Sequence, residues 1–215
     1  MMKKVILAVA ALGVVAAANA DPGTFTNLGA IFDTTSNYPT PDAKITLNGF
    51  AAGEIKWFKF SFAGTNGTTN FLDIDTSSVN MADVSTQTID TEMGLYDAAG
   101  NMIANDDDDG AGFYSALTFG NAGPRNYTLG GGISQMTAAN GRDGALAGGP
   151  AIYWLAVGKF NTTFGTTNWN VTSTATATTA QADLNFRTDA VPEPGTIAAL
   201  GLGAAVLLRR KAKKA

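Results

Sequence analysis

In several stretches between Lys44 and Thr188 the apolar residues of this chain alternate with polar ones, and no helical spacing of any length appears among them. In EIKWFKFSF, Phe58, Phe60 and Phe62 share one face, while Trp57, Lys59 and Ser61 share the other. In NFLDIDT, Leu72 and Ile74 stand opposite Phe71, Asp73 and Asp75. In AIYWLAVGKF, Tyr153, Leu155 and Val157 stand opposite Trp154, Ala156 and Phe160. A period of two puts every second side chain on one face of an extended strand, so these segments are half-buried β-strands. EMGLYDAAGNMIAND reads as a hairpin turning at Asp97-Ala98-Ala99-Gly100; KITLNGF is an early strand, and NWNVTSTATATTAQADLNFRT holds one or two late ones. With 25 glycines and only 15% charged residues, the composition disfavours helix. Short strands joined by Gly and Asn turns predict an all-β fold, an antiparallel sandwich or barrel, and of these a jelly-roll-like β-sandwich is expected. Gly130 to Pro150 is expected to be a long, mobile Gly-rich loop.

The two ends have a different character. MMKKVILAVAALGVVAAANA combines Lys3 and Lys4, an apolar stretch from Val5 to Ala17, and the small-x-small triplet Ala18-Asn19-Ala20. This pattern is a secretory signal peptide, with cleavage by signal peptidase expected after Ala20. The other end reads VPEPGTIAALGLGAAVLLRRKAKKA. Val191-Pro192-Glu193-Pro194 cannot form a regular helix interior and should stay extended. Gly195 to Leu208 is a run of 14 residues, shorter than the roughly 20 that span a bilayer, and is expected to be a short hydrophobic helix inserted transiently in the inner membrane. Arg209, Arg210, Lys211, Lys213 and Lys214 would hold the tail on the cytoplasmic side. The expected organisation is a signal peptide over 1–20, an ectodomain over 21–190 and a C-terminal signal over 191–215.

Charge separates the ends from the middle. The ends carry seven of the 14 basic residues, whereas 17 of the 18 acidic ones lie between Asp21 and Asp189. A domain of that balance repels nucleic acid and attracts cations. The chain has no Cys and no His, which removes disulfides, thiol chemistry, Cys-ligated zinc and the usual catalytic triads. Two carboxylates could serve a glycosidase, but nothing in the spacing of Glu54 or Glu92 selects a pair, and no enzyme is expected.

Taken in order, the Pro-Glu-Pro tripeptide, the short apolar run and the Arg-rich terminus resemble the PEP-CTERM sorting signal. That resemblance implies recognition of Val191, Pro192, Glu193 and Pro194 by an exosortase, a membrane enzyme that cuts near the motif. It also implies a Gram-negative producer of exopolysaccharide, and a protein destined for the cell surface or the extracellular matrix. The middle is similar to the bacterial pre-peptidase C-terminal β-sandwich family, on Phe58-Lys59-Phe60, Leu95-Tyr96-Asp97-Ala98-Ala99-Gly100, Asn105 to Gly110, and Tyr153-Trp154-Leu155-Ala156-Val157-Gly158. The acidic residues often seen before the Phe-x-Phe strand in that family are here Lys56 and Trp57. This second resemblance implies a non-catalytic accessory module that binds carbohydrate or protein.

Three constellations are candidates for binding. Asn105, Asp106, Asp107, Asp108 and Asp109 place adjacent carboxylates in one loop, which suits calcium, an oxygen-seeking cation. The spacing opens like an EF-hand, but Ala116 stands where the closing Glu belongs. The alternative is a solvated acidic loop. Trp57 and Trp154 could stack on sugar rings, the alternative being packing between layers. Thr172, Thr174, Thr176 and Thr178 would form a flat ladder on one strand, a feature of some ice-binding surfaces. The expectation is thus a structural or adhesive protein associated with exopolysaccharide. The alternatives are a calcium-dependent carbohydrate-binding module and, more remotely, a carboxylate hydrolase or an ice-binding protein.

Overall fold

A computed structural model describes residues 21–33, 40–65, 70–79, 89–110, 112–120, 128–129, 133–134 and 140–189. The expected signal peptide, the sorting motif and the C-terminal apolar segment lie outside them. Among the described residues every regular element is a strand, and no helix is long and apolar enough to cross a membrane.

Thirteen strands occur among these residues: β1 (Phe25–Ala30), β2 (Ala43–Phe50), β3 (Lys56–Phe62), β4 (Phe71–Ser78), β5 (Thr91–Asp97), β6 (Met102–Asp106), β7 (Ala116–Gly120), β8 (Thr128–Leu129), β9 (Ile133–Ser134), β10 (Ala151–Lys159), β11 (Thr162–Phe164), β12 (Val171–Ser173) and β13 (Thr178–Thr188). One sheet runs β1-β3-β10-β5-β6 and the other β2-β13-β4-β7, with β8-β9 and β11-β12 as separate two-stranded pairs. Set aside β1 and the two small pairs, and the remaining eight strands take the orders 2-7-4-5 and 1-8-3-6. That is the two-sheet order of a jelly roll. One pairing departs from the antiparallel expectation: β1 lies parallel to β3, with a register shift between Asn27 and Gly29.

The alternation in the sequence explains the core. Phe58, Phe60, Phe62, Leu95, Tyr153, Leu155 and Val157 point inward from the first sheet. Leu47, Leu72, Ile74, Leu117, Phe119, Leu184 and Phe186 meet them from the second. Burying a side chain of this size is worth about 1.5–3 kcal/mol, so this interface is the main source of stability in a chain without disulfides.

The face of β4 and β13 turned away from this core is polar, yet it too is buried. Asp73, Asp75, Asp183, Asn185 and Arg187 are each at most 1% exposed. Arg187 pairs with Asp75, and Asn185 donates to Asp75 at 3.1 Å and to Ser77 at 3.0 Å. Buried charges need such partners, since desolvation would otherwise neutralise or expel them.

Residues 140–150 form a loop without regular structure, as expected, and it packs against the sandwich. Leu146 is 4% exposed and enters the core, and its main chain exchanges hydrogen bonds with Thr65. Arg142 and Asp143 bond to Ala116, Thr118 and Asp109. The threonine ladder is also broken: Thr172 belongs to β12, Thr178 to β13, and Thr174 and Thr176 to the link between them.

The two ends of the sandwich are chemically distinct. At one pole β13 finishes. Thr188 donates its N–H to Asp42 at 2.9 Å and its hydroxyl to the Phe71 carbonyl at 2.7 Å, and the Phe71 N–H donates to Asp189 at 2.8 Å. The chain is thus held by the fold up to Asp189. We call this the exit pole. The β5–β6 turn and the start of β10 lie at the same end, since Tyr153 pairs with Asp97 and Ala151 with Phe62. At the opposite pole stand Thr91 at the start of β5 and the loop after β6.

Candidate functional site

The acidic loop after β6 is divided between structural and free carboxylates. Asn105 lies within β6, opposite Gly94. Asp106 turns inward and is 9% exposed; one of its oxygens accepts the N–H of Asp109 at 3.1 Å and of Ala116 at 2.7 Å. It braces the loop against β7. Burial, and then the Asp109 carboxyl beside it, push its pKa up to about 7. Asp109 pairs with Arg142 at 3.0 Å. Asp107 and Asp108 are exposed.

A partner absent from the sequence reading completes the cluster. Asp90, just before β5, brings a carboxylate oxygen within 4.8 Å of oxygens from Asp107 and Asp108. Its pKa rises to about 6, first through desolvation and then through repulsion from Asp107 and Asp108. Its Oδ1 is shielded from solvent and has no hydrogen-bond partner among the described residues. Glu92, two residues on, faces the same neighbourhood but is engaged: its carboxylate accepts the N–H of Thr162 at 2.6 Å and of Asn161 at 3.3 Å. Desolvation and then Asp107 raise its pKa, the backbone bonds notwithstanding.

The structure therefore brings together Asp90, Asp107 and Asp108. Asn105, Asp106 and Asp109 do other work. Three converging carboxylates offer hard oxygen ligands and repel one another until a cation neutralises them. The only sequence cue to Asp90 is its place at the head of a strand beside a second acid, and strand pairing, not spacing, decides which loop it faces.

Trp57 and Trp154 are 8% and 2% exposed, so neither ring face is open for stacking. They form a second apolar cluster with Tyr96, Ala156 and Trp169 on the outer face of the first sheet. Trp169 meets Trp154 edge-on at 6.3 Å, and Trp57 lies 5.6 Å from Tyr96. Trp169 precedes β12, and the β11–β12 pair carries the cover: Phe164 rests on Gly94, and the Tyr96 hydroxyl donates to Gly165 at 3.0 Å. Packing between layers is what these rings do. Lys59 also faces outward, its ammonium 4.8 Å from the Trp154 ring.

Glu54, the other carboxylate considered for hydrolysis, bonds to Lys56 at 2.8 Å and to the Ala51 N–H at 2.6 Å. Ala18 and Ala20, expected to flank signal cleavage, and motif residues Val191, Pro192, Glu193 and Pro194 lie outside the described residues.

The described strands define a jelly-roll β-sandwich. Residues 190–213 match the family model described as the PEP-CTERM protein-sorting motif. The chain thus carries a signal for export and exosortase processing, beginning one residue after Asp189. No curated protein matches the chain. Among solved structures, it is similar to the pre-peptidase C-terminal domain of a collagenase from Bacillus anthracis. That match has 12% identity and a TM-score of 0.37, covering 79% of this chain and 100% of that one.

Proposed function

We propose that this chain is an exosortase-processed surface or matrix protein with a structural or adhesive role in exopolysaccharide. Residues 1–20 are lost to signal peptidase, 21–190 form the exported domain, and 191–215 are read at the inner membrane. The observation that carries this reading is the sorting motif over 190–213, attached directly to a sandwich strand that ends at Thr188. The absence of His and Cys from the sequence supports a non-catalytic role. The intact mass of the native protein, taken from cells and from medium, tests it. Loss of residues 1–20 and a C-terminal cut near Val191 to Gly195 are expected. A mature form that keeps Ala215 in the inner membrane would defeat the reading.

A second reading is a calcium-dependent carbohydrate-binding module, favoured by the convergence of Asp90, Asp107 and Asp108. Calcium added to the metal-free protein would then raise its unfolding temperature, and the Asp90→Asn variant would lose most of that rise. Binding to the producer's polysaccharide would be abolished by chelator. Binding that ignores chelator would leave the adhesive reading alone in place, and release of free sugar would point to a hydrolase.

A further inference from the structure

The short stem between the fold and the sorting motif restricts how that motif is read. Asp189, the last of the described residues, is tied to the fold through its bond with the Phe71 N–H. Val191 is two positions further on, a reach of at most about 7 Å, and residues 190–194 together reach about 17 Å even when fully extended. A cleft that grips Val191 to Pro194 must enclose about 13 Å of extended chain. The body of any enzyme around that cleft is wider than the stem is long. While the sandwich stays folded, the enzyme touches the exit pole.

That pole carries the features of an interface. A groove of about 710 Å³ opens there, lined by Asp97, Ile103, Ala147, Pro150, Ile152 and Tyr153 among others. Ile103 and Ile152 are 36% and 44% exposed, high for residues of their size on strands of a sandwich. The groove reaches the stem through continuous packing. Ala147 lies against Gly64, Thr65 bonds to Leu146 and abuts Gly120, and Gly120 pairs with Phe71, which holds Asp189. The free carboxylates Asp107 and Asp108 sit at the opposite pole, where they would face away from the membrane.

We infer that the exit pole is a docking face for the membrane-bound enzyme that reads the sorting motif, with the apolar groove beside Ile103 and Ile152 as its anchor. The inference rests on the sorting reading above. It adds that the enzyme recognises a folded surface as well as a linear motif.

The test uses the full chain in the producing cell, with processing followed by intact mass over time. The variant Ile103→Glu/Ile152→Glu puts charge on two exposed positions and should leave the unfolding temperature and signal-peptide removal unchanged. Its C-terminal cut should slow at least about tenfold, as expected when charge enters the apolar centre of an interface. The control Phe160→Glu, an exposed apolar position just past β10 at the opposite pole, should be cut at the wild-type rate. A flexible Gly-Ser spacer of about 15 residues after Asp189 removes the enforced contact. With the spacer, the wild-type and groove-variant domains should be cut at one common rate. Wild-type processing of the groove variant without a spacer would overturn the inference. So would a defect that persists with the spacer, because it would then not act through contact at the pole. Failure of the wild-type chain to be cut near Val191 would be a separate result, removing the sorting reading itself.

Discussion

Asp75 and Arg187 are among the least accessible charged groups in the described residues, and Asp75 is held by more than Arg187 alone. Asn185 binds Asp75 from the neighbouring position on β13. Removing one partner leaves a charge stranded where water cannot reach it. Arg187→Ala should therefore destabilise the fold by about 3–5 kcal/mol. Asp75→Leu/Arg187→Leu should cost distinctly less, because no lone charge remains. Urea unfolding of both variants measures the difference, and equal losses would contradict the pairing argument. Asp90 and Asp106 give the pH dependence. Their pKa values of about 6 and about 7 lie above the unfolded carboxylate value near ~4, so the folded chain binds protons more tightly than the unfolded one. The stability they confer is complete below pH ~4 and lost as pH rises through about 6 to 7. Glu54 acts in the opposite sense, its pKa lowered chiefly by the Lys56 hydrogen bond, but its window lies below pH ~4.5. Metal-free protein should thus melt at progressively lower temperature from pH 4.5 to 7.5. A flat or rising profile across that window would refute the assignment.

Among the elements, the β5–β6 hairpin and the β11–β12 pair form one unit. Gly100 closes the hairpin turn at φ +82°, where an L side chain is strained, and a Cβ there would meet the Trp169 ring at 2.7 Å. Gly100→Ala should cost about 1–3 kcal/mol and alter tryptophan fluorescence by lifting Trp169. Trp169→Ala removes the cover itself and should cost about 3 kcal/mol, exposing Trp57 and Trp154 to aqueous quenchers. If quencher access does not change, the cover lies elsewhere. Much of this hairpin was legible in the chain. Leu95-Tyr96-Asp97-Ala98-Ala99-Gly100 announces a turn flanked by alternating strands, and the Asp97 carboxylate accepts the N–H groups of Ala99 and Asn101 as such a turn requires. The cover was not legible. Trp57 and Trp154 occupy the face that an alternating strand normally gives to solvent, and distant segments bury them, Trp169 from the C-terminal side and Phe25 of β1 against Trp154.

At the scale of the molecule, β13 is both the last strand among the described residues and an interior one, lying between β2 and β4. The second sheet cannot close until residues 178–189 are available. A chain spanning residues 21–189 should fold cooperatively, with a β-sheet circular dichroism spectrum, whereas one spanning 21–177 should not. A cooperative transition in the shorter chain would show that the first sheet is stable alone. The same placement joins folding to sorting, because the strand that completes the sandwich leads within two residues to Val191.

Local alternation sufficed to read the inward faces of β3, β4 and β10, because a strand has only two faces and a water-excluding core accepts only the apolar one. The sorting signal at the C-terminal end was equally plain, since it depends on a short linear pattern of proline, apolarity and charge. The parallel seat of β1, the burial of Asp73 and Asp75 on the supposed outer face, and the meeting of Asp90 with Asp107 and Asp108 were beyond its reach. Each depends on which distant segments become neighbours. That choice is made by the sum of packing and pairing over the whole sandwich, and no single stretch of residues contains it.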